Sequence, residues 1–291
     1  MLTGVILYAV WGFTPVYFKL FDGISPIEVT LQRAVWALLF LLLLVAIVGQ
    51  TGQFLRVFRN PRLLAIMLLS AVLVSISWLL AAYTSLTDHV LAMSMGYFLT
   101  PLINMALGIL VLRERVSSLQ VVAIAVGVVG IGCLAASALS TLWMSMGIAL
   151  IFGLYGLVRK LAPVGAMVGL AVETTLLLPA ALLGMLWMHS SGGLNFGADI
   201  NTSLLLMSTG VVLMVPLLAF GFVVRRVPMV MLGFMQFIAP IVQFTLALWL
   251  YNEPMSSAKW FSFILIWLAL GIFSFDVVRS AHRNRIDALT V

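Results

Sequence analysis

Residues 116–158 contain no charged side chain, and residues 63–112 contain one, Asp88. A helix rises about 1.5 Å per residue, so about 20 apolar residues cross the roughly 30 Å of hydrocarbon in a bilayer. The first run is long enough for two crossings, with a turn at 136–141 (ASALST), and the second for two more, at 63–87 and 90–112. Runs at 1–18, 34–55 (extended back through Arg33 toward Glu28), 165–188 (interrupted by Glu173), 203–224, 230–251 and 258–278 bring the number to ten. The chain is 64% hydrophobic and 8% charged, which leaves too few polar residues to cover a water-exposed globule of 291 residues. It is expected to be an all-α polytopic membrane protein. The run at 1–18 lacks a basic leader and a small-residue cleavage site, so it reads as a retained span.

The basic residues test the span count. Taken alternately, one set of connections and the tail carries Arg56, Arg59, Arg62, Arg113, Arg115, Arg159, Lys160, Arg225, Arg226, Arg279, Arg283 and Arg285, whereas the other set holds Lys19 and Lys259. Basic residues accumulate in cytoplasmic connections. Ten crossings with both termini cytoplasmic satisfy that rule, and one missed helix scrambles it. The formal net charge of +6 is thus a topology signal, and nucleic acid is not an expected partner.

The two halves echo each other. GYFLTPLINMALGILVLRER at 96–115 and MQFIAPIVQFTLALWLYNEP at 235–254 align at an offset of 139 (240 minus 101), which sets Pro101 on Pro240, Asn104 on Gln243 and Glu114 on Glu253. WGFTPVYFK at 11–19 answers FGLYGLVRK at 152–160 at an offset of 141, with Lys19 on Lys160. The order of matches points to a duplicated five-helix unit: residues 1–140, then 141–279, then a cytoplasmic tail at 280–291. An odd number of crossings inverts the second copy, and inverted repeats are the architecture of secondary transporters, with a site near the bilayer midplane.

Polar groups inside these spans are the candidate site. A proline removes a helix hydrogen bond and frees a carbonyl, which lipid cannot satisfy, so Pro15, Pro101, Pro216 and Pro240 are read as helix kinks facing protein or a wet cavity. Asn104 and Gln243 follow their prolines by three residues, and Tyr97 and Gln236 precede them by four, so each set forms one stripe. Trp11, Trp36, Trp78, Tyr83 and Tyr155 could add aromatic wall, although aromatics near helix ends are also interfacial anchors. The substrate-binding candidates are Trp11, Trp78, Tyr97, Asn104, Tyr155, Gln236 and Gln243; simple interhelical hydrogen bonding is the alternative for the amides.

Arg33 and Glu173 stand 140 residues apart (173 minus 33), in corresponding second helices. Both must face something polar. They are expected to approach each other or the cavity, as a coupling or a structural charge, with Glu173 the candidate for proton linkage. Glu28 and Asp22 are placed near the surface. Gly127, Gly130, Gly132 and Gly271 are expected to permit close helix approach. The single cysteine, Cys133, excludes an intrachain disulfide.

Catalysis is not expected. Intramembrane hydrolysis needs a nucleophile with a base or a metal cluster, and the chain has no His-Glu-x-x-His, no Gly-x-Ser-x-Gly and no close pair of intramembrane aspartates. His89, His189 and His282 fall in connections or the tail. No phosphate-binding loop, cofactor motif or metal-ligand spacing is present. The competing classes are a channel-like facilitator and a membrane sensor, but a pore usually shows rings of like charge or a filter loop.

The segments GFMQFIAPIVQFTLALWLYNEP, GYFLTPLINMALGILVLRER, FGLYGLVRK and WGFTPVYFKL resemble the RarD-type branch of the EamA family, in the drug/metabolite transporter superfamily. The similarity runs over residues 4–278. It implies a bacterial inner-membrane carrier of ten helices, five plus five inverted, with a central cavity built mainly by helices 1, 3, 4, 6, 8 and 9. It also implies a small organic solute such as an amino acid, another metabolite or a drug, moved outward by alternating access. Gln32-Arg33, Ser77-Trp78 and Ala92 depart from the branch's usual His-Arg, Asn-Trp and Glu. Reporter fusions to the two termini should both give the cytoplasmic signal; opposite signals would require an odd number of spans.

Overall fold

The computed structural model describes residues 2–86, 90–135, 142–212, 214–249 and 257–287. The turn expected at 136–141, Asp88, His89 and Glu253 lie outside the described residues, as do the side chains of Pro15, Tyr83, Ala92 and Gln243. In chain order the helices are α1 (Leu2–Gly12), α2 (Thr14–Phe18), α3 (Pro26–Ile47), α4 (Thr51–Arg59), α5 (Pro61–Leu86), α6 (Val90–Leu110), α7 (Ser118–Ala135), α8 (Leu142–Leu161), α9 (Ala166–Ser190), α10 (Ile200–Val212), α11 (Met214–Val224), α12 (Met229–Gln236), α13 (Ile238–Trp249) and α14 (Ser257–Asp287). Among the described residues no strand forms; a lone bridge joins Phe196 and Asp199.

Seven of these segments are long and apolar enough to cross a membrane: Leu2–Phe21, Pro26–Ile47, Pro61–Leu80, Leu142–Leu161, Ala166–Ser190, Ile200–Val224 and Trp260–Ser280. Three shorter apolar helices, Met95–Leu110, Ser118–Cys133 and Met229–Val242, accompany them. Large apolar side chains on the outside, among them Leu43, Ile47, Leu183, Leu186, Trp187 and Phe275, are 59–73% exposed, the surface a bilayer would cover. The protein is a multi-pass membrane protein.

The helix ends are written locally. Asn60 accepts from the backbone N–H groups of Arg62 and Leu63, with Pro61 at the first helical position of α5. Ser117 and Gln120 form a reciprocal capping box at the start of α7. The expected run at 34–55 is two helices. α3 stops at Ile47 because Gly49 takes a left-handed φ of 72° and Gln50 N–H bonds back to Val45 O, a glycine-closed helix end. α4 then carries Arg56 and Arg59 separately. The expected tail begins as a continuation of α14, which runs to Asp287.

The prolines behave differently from one another. Pro15 and Pro240 coincide with breaks at Phe13 and Phe237, and the carbonyl freed by Pro15, Trp11 O, accepts from the Thr14 hydroxyl at 2.6 Å. Pro216 lies in α11, within the continuous apolar span Ile200–Val224. α6 runs unbroken through Pro101. Pro101, Pro216 and Pro240 are buried, so these three do not face lipid. Pro179, inside α9, is exposed.

Between helices in lipid, van der Waals packing and close approach replace the hydrophobic effect. A Cβ on Gly12 would lie 2.4 Å from Val242 Cβ, locking α1 to α13, and one on Gly153 would lie 2.6 Å from Ile103 Cγ2, locking α8 to α6. Gly233 lets α12 approach the Pro101 carbonyl, and Gly130 seats α7 on α14 near Leu265. Gly132 and Gly271 meet nothing within 4 Å; the close approach expected of them is absent because they face away from the α7–α14 contact. Gly12→Ala and Gly153→Ala should each destabilise by about 1–3 kcal/mol through overpacking. Gly132→Ala and Gly271→Ala should leave the melting temperature in detergent unchanged or raised.

Candidate functional site

α6 and α12, the helices that carry or precede the mid-span prolines, meet through an amide pair. Asn104 Nδ2 donates to Gln236 Oε1 at 2.5 Å, and both side chains are buried. Asn104 Oδ1 has no hydrogen-bond partner. The Tyr8 hydroxyl, on α1, faces Gln236, but no group reaches it in hydrogen-bonding geometry. Two buried polar atoms are thus left for a water or a solute, and buried polar atoms without partners are costly. Trp11 stacks on Tyr8 with ring centroids 6.1 Å apart and meets Phe152 and Phe220 edge-on. Of the expected stripes, Asn104 meets Gln236; the Gln243 side chain lies outside the described residues.

Tyr97 is 43% exposed even though α6 packs against α5, α7, α8 and α12. Its hydroxyl lies within electrostatic reach of Arg33 on α3, and α3 and α6 are not principal packing partners. The Arg33 guanidinium lies over the Trp78 ring, 3.5 Å from its centroid. Beside it is a void of about 20 Å³, with Leu170 and Thr174 of α9 and Met214 and Leu217 of α11 in its wall. A void of that size has room for about one water.

The expected approach of Arg33 to Glu173 is not formed. Glu173 binds Arg159 instead, with Nη1 to Oε1 at 3.2 Å and both side chains 1% exposed. Ser70 Oγ donates to the same oxygen at 2.6 Å, and the Tyr155 hydroxyl donates to Oε2 at 3.3 Å. Arg159 also donates to Ala166 O at 3.0 Å. Arg159 reads in the sequence as a connection cation because Lys160 follows it; it is buried because α8 continues to Leu161 and turns that face inward. Its one advance signal is position, four residues after Tyr155 on the same helix face. The space is made by missing side chains: a Cβ on Gly169 would fall 1.9 Å from Arg159 Nη1, and one on Gly221 3.1 Å from Nη2.

Two carboxylates tie the ends of the bundle. Glu28, expected near the surface, is fully buried because residues 195–196 fold over it: it accepts from the backbone N–H groups of Asn195 and Phe196 and from Asn195 Nδ2. Glu114 accepts from Met229 N–H and Val230 N–H at 2.7 and 2.9 Å, capping α12 from another segment. The Arg225 side chain donates to Val164 O, and Lys160 Nζ donates to Val227 O at 2.5 Å. The connections that hold Arg113, Lys160 and Arg225 thus gather at one end. That end opens as a groove of about 750 Å³ rimmed by Arg115, Lys160, Arg225 and Arg226. Among the described residues no group of His, Cys, Asp and Glu is arranged to hold a metal ion.

Removing one partner of a buried ion pair strands the other charge, at a cost of about 3–5 kcal/mol. Glu173→Ala and Arg159→Ala should each lose about that much stability. The double replacement Arg159→Met with Glu173→Leu should recover most of it, because both desolvated charges are gone; thermal unfolding of the purified variants checks this.

The sequence model of the EamA-like transporter family matches residues 1–136. An uncharacterized transporter of Pseudomonas aeruginosa is 38% identical over 282 residues, covering 96% of this chain and 94% of its own. Proteins named RarD are 35% identical in Streptomyces exfoliatus (98% of this chain, 91% of that one) and 36% identical in Salmonella typhi (98% and 97%). A solved crystal structure superposes with a TM-score of 0.70 at 15% identity over 93% of this chain and 95% of that one, a likeness of fold. With an all-helical bundle and whole-length similarity at this level, the chain belongs to the EamA-like transporter family, within the drug/metabolite transporter superfamily.

Proposed function

We propose that this protein is a secondary carrier that moves a small organic solute across the bacterial inner membrane by alternating access, outward and without nucleotide. Its two halves, residues 1–140 and 141–279, act as inverted five-helix repeats, with both termini and the basic end cytoplasmic. The observation that carries the reading is a set of interhelical contacts that map onto one another. Gly12 meets Val242 where Gly153 meets Ile103; the offsets are 141 (153 minus 12) and 139 (242 minus 103), those of the two sequence matches. Likewise Gly96 abuts Ser145 where Met235 abuts Gly4, at offsets of 139 (235 minus 96) and 141 (145 minus 4). If the halves exchange conformations, each such contact takes the geometry of its mate, and the interior changes the face on which it opens.

The solute site lies between α6 and α12–α13, with Asn104 and Gln236 as hydrogen-bonding groups and Trp11, Trp78, Tyr97 and Tyr155 as the aromatic surround. The repeat maps the Asn104–Gln236 pair onto Gln243 and Tyr97, so Gln243 completes the stripe in the second half. Breaks at Phe13 and Phe237 supply hinges next to the site. Glu173, with Ser70, Tyr155 and Arg159 around it, is the group through which a proton could couple to transport. Proteins named as transporters among its relatives support the same class.

Counterflow in proteoliposomes tests the mechanism: trapped unlabelled solute should accelerate uptake of its labelled form. Uptake without that acceleration would mark a channel, and no flux for any solute a sensor. Asn104→Ala and Gln236→Ala should each cut counterflow at least tenfold, equivalent to about 1.4 kcal/mol, while the protein remains folded in detergent.

A further inference from the structure

We infer that Arg33 is an anion subsite of the carrier's interior and that the transported solute bears a carboxylate. This rests on the carrier reading, and deepens it by naming the substrate class. Arg33 sits seven residues (33 minus 26) after the first residue of α3, about 10 Å along the helix, in a bundle where an ionised side chain needs a partner or water. Its guanidinium face is fixed on Trp78 at 3.5 Å. That geometry occupies the plane of the group and leaves its N–H edge to bind something else. Nε is buried with no acceptor, and among the described residues no carboxylate lies within ion-pair distance of Arg33; the pair found there is Arg159 with Glu173.

The repeat sharpens the contrast. Glu173 is seven residues (173 minus 166) into α9, the counterpart of Arg33 in α3, and it has Arg159. The position matching Arg159 in the first half is residue 18 (159 minus 141), which is Phe18, 45% exposed. One half of the molecule therefore holds an ion pair, and the other holds a cation for which none of the described residues supplies a counter-ion. A planar carboxylate fits a guanidinium edge with two parallel hydrogen bonds. Tyr97 lies within electrostatic reach of Arg33. The other named walls of the adjoining void, Ala34, Ala37, Leu170, Met214 and Leu217, bring no second cation, so a singly charged carboxylate matches the site better than a doubly charged phosphate. Thr174 adds no donor there, because its hydroxyl donates to Leu170 O.

The test is thermal unfolding of the purified full chain with millimolar monocarboxylic acids, each paired with its neutral amide, starting from benzoate and benzamide. At least one acid should raise the melting temperature while its amide does not. The shift should vanish in Arg33→Gln and be weakened in Arg33→Lys, which keeps the charge but loses the fork. Equal shifts by acid and amide, a shift that survives in Arg33→Gln, or no shift by any acid would each overturn the inference. Should Arg33→Gln fail to fold, phenylglyoxal modification of Arg33 in the unaltered protein, read by mass spectrometry, decides: the acid should protect and the amide should not, and equal labelling overturns the subsite. Counterflow separates the two readings. Acid binding through Arg33 without flux keeps the subsite and sinks the carrier; flux that Arg33→Gln leaves unchanged keeps the carrier and sinks the subsite.

Discussion

A polar group inside a bilayer can bond only to protein or to enclosed water, and that constraint organises this molecule. Exposed faces are given over to side chains such as Leu43, Leu183 and Trp187, which ask nothing of lipid but contact. Polar and charged groups are turned inward and matched across helices distant in sequence: Ser70 and Tyr155 with Glu173, Glu28 with Asn195, Glu114 with Met229 and Val230. Because apolar packing is no more favourable between helices than against lipid, these links and the glycine contacts decide which helices are neighbours.

Against that background the incomplete groups stand out. Among the described residues Asn104 Oδ1, the Tyr8 hydroxyl and Arg33 Nε are buried without partners, as are Gln32 Nε2, Arg159 Nε and Ser262 Oγ. Asn104, Tyr8 and Arg33 lie on α6, α1 and α3. The Asn104–Gln236 bond ties α6 to α12 at the seam between the proposed repeats.

Much of this was readable in the amino-acid order, because apolar length and charge spacing report directly on crossings. The spans, the break at Pro240 and the meeting of Asn104 with Gln236 follow from local pattern. What escaped depended on partners far along the chain. Beyond its position four residues after Tyr155, Arg159 carries no sign of burial, since its neighbour Lys160 is a normal end cation and its cradle is made by the absence of side chains at Gly169 and Gly221. Glu28 seemed a surface residue because the segment that covers it, around Asn195 and Phe196, comes 167 residues later. The end of α3 at Ile47 is masked because no charge falls between Arg33 and Arg56, whereas Gly49, with its left-handed φ, closes the helix.

The claim at the centre is that the halves enclose a wet interior reached in turn from either face. Tyr97, 43% exposed on a helix surrounded by others, is the place to measure it. With Cys133 replaced by alanine and Tyr97 by cysteine, a membrane-impermeant maleimide can be applied to right-side-out and to inside-out vesicles. Labelling from both faces is the predicted result. Labelling from neither would contradict a water-filled interior, and labelling from one face alone would contradict access that alternates.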